Sequence, residues 1–427
     1  MKTVKFYTLG CKVNQYDTQE MRERFLRTGL VELEDSHPAD LYVINTCTVT
    51  QRADAESLNI IRRARRENPR AKIVVTGCLT ELNEDKIKKA DDAILIVKNR
   101  DKGSILEHFP SYDSRASELT GSGAISSISY FKGHTRAFIK IQDGCNNFCS
   151  YCKVPLVRGP SRSRKLNEIV REAENLTRNG FRELVLCGIC VGLYGKDLSP
   201  QIEIADVIEA LEAIDGVSRI RLSSIEAADV TEKLIEKISR SKKFCPHLHI
   251  PIQSGDNEIL RKMNRRYSRE DYLGLVKRIK NKIALVNITT DVLVGFPAED
   301  ENSFQNTVDL VNTAVFLKVH IFPYSRREAT PASKNFRYAI NPLIIKERAA
   351  RLKACADITA NLCKKQLLGK EMDILVEGPV KENLDFWQGY TGNYVKVIFE
   401  AKDDLQNHII RLKLKEITQD GLLGVLC

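Results

Sequence analysis

No stretch of this 427-residue chain is apolar for long enough to cross a bilayer. The amino terminus, MKTVKFYTLG, reads at once as a strand and not as a charged and then apolar leader. A protein with no transmembrane anchor and no signal peptide is expected, working in the cytoplasm. Nor is there an obvious acid and base pair, so side-chain proton transfer is not its main chemical resource. What it has instead is cysteine, twelve in all. Without a secretory signal, so many thiols argue for a reducing compartment and for metal or redox use, not for disulfides. A length of 427 residues and 43% hydrophobic content suit two or three domains with real cores. The net charge of +10, from 66 basic and 56 acidic residues, suits a polyanionic partner without proving one.

The most informative segment runs from 138 to 165. An apolar strand, FIKIQ, ends at Asp143-Gly144 and is followed by Cys145-Asn-Asn-Phe-Cys149-Ser-Tyr-Cys152. Three thiolates in so short a loop are good ligands for a soft metal or an iron–sulfur cluster. A four-iron cubane usually takes four thiolates. Three leave one iron open, and an open site is where a metal centre does chemistry.

Residues 1 to 97 alternate strand and helix in the manner of a parallel sheet covered by helices. Cys11 follows VKFYTLG, Cys47 follows LYVINT and Cys78 follows KIVVTG. Each therefore stands past the carboxyl end of a strand, the edge where open α/β sheets bind ligands. Gly10 and Gly77 let two of these turns be tight. Topology brings the three thiols to one rim, and a second three-thiolate cluster site is expected there.

The spacing Cys-x3-Cys-x2-Cys resembles the radical S-adenosylmethionine superfamily. The segments TLGCKVNQYDTQE, INTCTVTQRADAESLNIIRRARRENP and VVTGC, with CNNFCSYC and VPLVRGPSRSR, resemble the methylthiotransferases nearly end to end. Lys-Val-Asn-Gln after Cys11 and Thr-Val-Thr after Cys47 are most similar to the tRNA threonylcarbamoyladenosine subfamily. The resemblance implies two [4Fe-4S] clusters, one on Cys145, Cys149 and Cys152 and one on Cys11, Cys47 and Cys78. It implies S-adenosylmethionine bound at the open iron, with Tyr151, Gly188, Ser224, Glu226 and Gln253 lining its pocket. The implied reaction removes hydrogen from C2 of the adenine beside the anticodon and inserts a methylthio group. A target base is more easily unstacked in a loop than in a duplex. Implied partners are the anticodon loop of a tRNA and an electron donor, with the chain as a monomer.

The expected fold class is α/β in three parts: an amino-terminal parallel-sheet domain (1–110), a central partial (β/α)6 radical barrel (134–366) and a small TRAM-like β-barrel (367–427). A Ser- and Gly-rich linker is expected at 111–133. RNA contacts are expected at Arg62, Arg63, Arg65, Arg66, Arg158, Arg162, Arg164 and Lys165. Trp387 and Tyr390, placed in turns of the small barrel, are expected to stack on unpaired bases. In LCGICVG, Cys187 and Cys190 depart from the family pattern and repeat the Cys-x2-Cys spacing of Cys149 and Cys152. A zinc-stapled RNA-binding protein without catalysis is therefore one alternative. A methylthiotransferase for another tRNA adenosine or for a ribosomal protein is another.

Overall fold

The computed structural model describes residues 2–34, 37–109, 127–336, 338–381, 383–419 and 421–427. The amino-terminal domain runs β1 (Thr3–Thr8), α1 (Lys12–Arg27), β2 (Val31–Glu32), β3 (Leu41–Thr46), α2 (Gln51–Glu67), β4 (Lys72–Gly77), α3 (Leu79–Leu82), α4 (Glu84–Ala90) and β5 (Leu95–Ile96). Its five strands are all parallel, in the order β2-β1-β3-β4-β5. Central β3, LYVINT, is buried along its whole length, as a strand covered on both faces must be. The Thr50 hydroxyl accepts from the Ala53 N–H and so starts α2. Asn68-Pro69 ends it.

The central domain follows with β6 (Arg136–Lys140), β7 (Gln142–Asp143), α5 (Val154–Arg158), β8 (Arg162–Ser163), α6 (Leu166–Arg178), β9 (Glu183–Cys187), α7 (Ile204–Glu212) and β10 (Arg219–Leu222). It continues with α8 (Glu232–Arg240), β11 (His247–His249), α9 (Asn257–Lys262), α10 (Arg269–Lys282), β12 (Asn287–Val294), α11 (Glu301–Ala314), β13 (Lys318–Pro323), α12 (Pro331–Asn335) and α13 (Pro342–Lys365). Two parallel three-stranded sheets, β6-β9-β10 and β11-β12-β13, are joined by bridges from Ile220 to Phe244 and from Ser224 to His249. The result is a partial barrel of six parallel strands. In β11 to β13 alternate residues part company, because successive side chains of a strand face opposite ways. Leu248, Ile288, Val292 and Val319 enter the core beneath the helices. His249, Asp291 and His320 face the barrel interior instead.

Residues 111–126 of the expected linker lie outside the described residues. Just after them Ile128 and Phe131 are buried in the central core, and the Ser129 N–H donates to both oxygens of Glu23 at 2.8 and 3.0 Å. That end of the segment is packed, unlike a free linker.

The carboxyl-terminal strands are β14 (Glu371–Val380), β15 (Asn383–Thr391), β16 (Lys396–Glu400), β17 (Ile409–Ile417) and β18 (Leu422–Leu426). They close into a barrel in the order β14-β15-β16-β18-β17. The turns expected around Trp387 and Tyr390 are in fact strand β15. This barrel forms the floor of the central one. Arg136, Arg219, His247 and Asn287 are the first residues of their parallel strands, and all meet it. Arg136 lies over the rings of Tyr390 and Tyr394, each at 5.1 Å. Arg221, two residues into the barrel, lies over Tyr394 at 4.3 Å. The Arg219 guanidinium donates to the Tyr390 carbonyl at 3.0 Å, and the Asn287 amide donates to the Asn393 carbonyl at 2.9 Å.

The amino-terminal domain caps the opposite end through one carboxylate. Asp17 of α1 is fully buried and meets three cations. Lys102 stands at 2.5 Å and Arg158 at 3.5 Å, and Lys140 of β6 is paired with it too. Burial works against the charged carboxyl, but these three cations hold it well below the usual carboxylate range. Removing one partner of such a network strands buried charge, so Asp17→Asn is expected to destabilise the protein by about 3–5 kcal/mol in urea unfolding. A carboxyl depressed in the folded state gives its full stabilisation above its unfolded value and loses the last of it only as pH falls through the folded value. The gap between wild type and Asp17→Asn should therefore begin to narrow below about pH 4 and persist well into more acid solution.

Candidate active site

Cys11, Cys47 and Cys78 follow the adjacent strands β1, β3 and β4, and the parallel sheet sets them side by side at its carboxyl edge. Gly10 has φ of +97°, and a Cβ there would lie 2.8 Å from the Cys47 sulfur. Only glycine lets the chain turn this close to that thiol. Burial pushes the Cys47 thiol up to about 12, and Cys78 and Cys11 push in the same direction. Cys78 is raised by burial too, against the opposing pull of Arg158 and Lys102.

The second set lies in the loop between β7 and α5. Gly144 has φ of +76°, and a Cβ there would stand 1.9 Å from the Pro160 carbonyl oxygen. Gln142 braces the loop from behind, donating to the Gly144 carbonyl at 2.7 Å and to the Ser161 hydroxyl at 2.9 Å. Ser150 ties its far side to the end of α9, donating from N–H to Met263 and from Oγ to Lys262 at 3.0 and 2.7 Å. Asn264, at φ of +60°, donates to the Phe148 carbonyl at 3.0 Å. Backbone N–H groups of Asn147 and Val154 point at the sulfurs of Cys145 and Cys152 at 3.5 and 3.4 Å.

Among the described residues no three cysteine sulfurs lie within 4.8 Å of one another. Three ligands of one ion would have to. The donor types fit a cubane, whose thiolates bind different irons and need not meet that test. They do not fit zinc shared between the two Cys-x2-Cys pairs, because Cys187 and Cys190 go different ways. Cys190 shares a hydrogen bond with Cys145 and accepts from the Asn147 amide at 3.4 Å, while Cys187 is buried and feels the charges of Lys12 and Cys11. The zinc-stapled alternative is corrected on that ground.

Gly188, Ser224, Glu226 and Gln253 all come just past the carboxyl ends of β9, β10 and β11, on the rim that holds the 145–152 loop. A Cβ on Gly188 would lie 2.8 Å from the Gln142 side-chain oxygen. Beside Cys149 an open cleft is lined by Glu226, Asp229, Arg265 and Tyr267. Arg265 pairs with Glu226 and donates to the Tyr151 hydroxyl at 3.1 Å. Glu226 Oε1 and Arg265 Nε are buried without a partner, so a polar ligand in the cleft would find groups to satisfy. The sequence reading missed Arg265 and Asn264. Their signal was MNRRYS directly after an amphipathic helix, where a left-handed Asn can end the helix and aim the next residue inward.

Several expected RNA contacts are corrected by burial. Arg158 is buried, donates to both oxygens of Asp143 at 2.9 and 3.0 Å, and is bonded to Asn14. Arg164 pairs with buried Glu172 at 2.7 Å and donates to the Lys140 carbonyl. Arg65 is tied to Asp91 at 2.5 Å and to two backbone carbonyls. Trp387 lies in the core of the small barrel, and half-buried Tyr390 supports Arg136. Arg63 is exposed but paired with Glu67 at 2.7 Å. Arg62, Arg66, Arg162 and Lys165 are exposed.

The Cys190 thiol donates to Cys145 and holds it down to about 7. In cluster-free protein, the rate of Cys145 alkylation by iodoacetamide, read by peptide mass spectrometry, should be half-maximal near that pH, while Cys47 reacts far more slowly. Cys190→Ala should move the Cys145 midpoint up toward the ordinary thiol value.

Comparison with known proteins agrees with this arrangement. Residues 3–98 match the uncharacterized protein family UPF0004, and residues 139–311 match the radical SAM superfamily. A Bacillus subtilis protein named threonylcarbamoyladenosine tRNA methylthiotransferase MtaB is 37% identical over 97% of this chain and 94% of its own length. A Thermotoga maritima protein of the same name is 34% identical over 99% and 97%. A tRNA-2-methylthio-N(6)-dimethylallyladenosine synthase from Alkaliphilus oremlandii is 34% identical over 98% and 91%. The structure of the radical S-adenosylmethionine methyltransferase TsrM from Kitasatospora setae matches with a TM-score of 0.58 at 14% identity, over 78% of this chain and 74% of that one. That last likeness concerns the fold alone. With relatives this similar along nearly the whole chain, the protein belongs to the radical S-adenosylmethionine methylthiotransferase family.

Proposed function

We propose that this chain is a tRNA methylthiotransferase that places a methylthio group on C2 of N6-threonylcarbamoyladenosine beside the anticodon. One observation carries the reading: two three-thiol sets, on two domains, locked to each other through Asp17 and Arg158. The family uses S-adenosylmethionine and a [4Fe-4S] cluster. Cys145, Cys149 and Cys152 would hold that cluster, and Cys11, Cys47 and Cys78 would hold a second one as the place of the incoming sulfur. When bound, the first cluster and S-adenosylmethionine supply a carbon radical able to take hydrogen from C2 of adenine, given an electron donor.

The chain's own residues bind, orient and exclude water. Gly188 and Gly144 keep the rim close to the cysteine loop. Tyr151, Ser224, Glu226 and Gln253 would line the cofactor pocket, with Arg265 fixing the positions of Glu226 and Tyr151. The small barrel closes the floor, which keeps bulk solvent from a reactive intermediate. No side-chain base is needed for hydrogen atom removal. Arg62, Arg66, Arg162 and Lys165 remain the candidates for binding phosphate, in a protein that works as a cytoplasmic monomer.

Replacing Cys11, Cys47 and Cys78 together by Ala should leave about half the iron, since each cubane carries the same number. Cleavage of S-adenosylmethionine should persist, and the methylthio nucleoside should vanish from anaerobic assays with anticodon stem-loop RNA. Normal product from that variant would remove these cysteines from the reaction. For the RNA surface, reversing Arg62, Arg66, Arg162 and Lys165 to Glu should flatten the slope of log affinity against log salt by about 0.7–0.9 for each phosphate that is no longer neutralised. An unchanged slope would make them solvated side chains only.

A further inference from the structure

Relatives named for two different N6 substituents match this chain almost equally well, so overall identity does not say which one it takes. The chemistry of the barrel wall does. His249 of β11, Asp291 of β12 and His320 of β13 are neighbours across adjacent strands, with Asp291 and His320 directly paired in register. Their ring nitrogens and carboxylate oxygen lie within 4.8 Å of one another. His249 Nε2 is 3.2 Å from Asp291 Oδ1, and the two imidazole rings meet edge-on at 5.6 Å between centroids. His249 and Asp291 are only partly covered, at 17% and 23% side-chain exposure. A polar wall thus opens onto the interior space.

A buried relay fixes its hydrogens. The Thr289 hydroxyl lies 3.0 Å from His247 Nε2 and 2.9 Å from His249 Nδ1. His247 is fully buried and held neutral, and its Nδ1 has no partner. A buried acceptor without a partner costs less than a buried N–H without one, so His247 carries its hydrogen on Nε2 and donates it to Thr289. Thr289 then gives its single hydrogen to His249 Nδ1. His249 is left with its hydrogen on Nε2, aimed at Asp291. The carboxylate keeps further acceptor capacity toward the chamber, and the described structure gives the His320 nitrogens no hydrogen bond.

The wall adjoins the expected cofactor pocket: the His249 carbonyl accepts from the Ile225 N–H at 3.0 Å, and the Asp291 carbonyl accepts from the Gln253 N–H at 2.8 Å. Lys12, one residue after Cys11 and exposed, acts electrostatically on His320, His247 and Cys187 alike. An ammonium there disfavours a divalent ion among the same three residues, although their spacing would suit one. In adenine, N6 is attached to the ring carbon next to N1, and N1 is next to C2. The N6 substituent is therefore only a few bonds from C2, and a base whose C2 faces the cofactor pocket can set that substituent against this wall.

We propose that His249, Asp291 and His320, with Lys12 at their edge, recognise the threonylcarbamoyl group on N6 of the target adenosine. The assignment rests on the tRNA reading given above. Asp291 accepts from the hydroxyl or amide hydrogens of the substituent. His320 and Lys12 donate to its carboxylate. A dimethylallyl group offers none of these partners, and burying it here would strip water from Asp291 and His320 without replacement.

The test uses reconstituted holoenzyme and three anticodon stem-loop RNAs that carry adenosine, N6-dimethylallyladenosine or N6-threonylcarbamoyladenosine at the target. Wild type should favour the threonylcarbamoyl RNA. Asp291→Asn and His320→Phe should each lose at least about tenfold in kcat/KM on it, mostly through KM, and little on plain adenosine. His320→Gln, which keeps a donor, should recover part of the loss, and thermal melts check that each variant folds. A wild-type enzyme that uses only the dimethylallyl RNA would overturn the threonylcarbamoyladenosine reading and this assignment together. Activity on threonylcarbamoyl RNA that both variants retain in full would overturn the assignment alone. So would one equivalent of zinc that Asp291→Asn releases while selectivity stays unchanged.

Discussion

The architecture depends on a single buried carboxylate. Asp17 sits on the first helix of the amino-terminal domain, yet its cations come from three segments. Lys102 closes its own domain, Lys140 ends the first strand of the central barrel, and Arg158 ends the cysteine loop. Arg158 passes the constraint on, because Asp143 and Asn14 also hold it and its charge reaches Cys78. Two thiol sets that lie far apart in sequence are thereby fixed in relative position. Buried ion networks of this kind add little net stability over apolar packing, and their best-supported use is to specify one arrangement. Here the arrangement specified is the distance between two reactive centres.

The sequence made the thiols legible because their information is local. Three cysteines in one loop need no partner to be read, and three strands each followed by a cysteine need only the rule for parallel sheets. The barrel strands were legible for the same reason: each is a short apolar run between turn residues. The arginines were not. Arg158 and Arg164 sit in a basic string, RGPSRSRK, that looks solvated, and nothing in the string tells which residues point inward. Their carboxylate partners, Asp17, Asp143 and Glu172, are scattered along the chain. Trp387 was misplaced because the Gly and Asn residues around it suggested turns, while the strand pairing that buries it is nonlocal.

The polar wall of the barrel shows the same limit from the other side. His249 and His320 alternate with apolar neighbours and Asp291 stands between Thr290 and Val292, as ordinary half-buried strand residues do. Only the register of three strands reveals that they share one face, with Asp291 level with His320 and His249 level with Thr289. A reading that takes motifs one at a time passes over such a site, since its unit is a layer across the sheet and not a stretch along the chain.

The arginine-rich lower rim of the central barrel has a consequence for heredity. Arg136, Arg219 and Arg221 are answered partly by Glu183 and partly by tyrosine rings and carbonyls that belong to the next domain. A rim of that composition cannot be left bare without stranding charge, nor covered by an unrelated module that lacks those rings. The small barrel is therefore not a detachable grip that evolution could trade among enzymes. It and the catalytic barrel must be passed on as one piece.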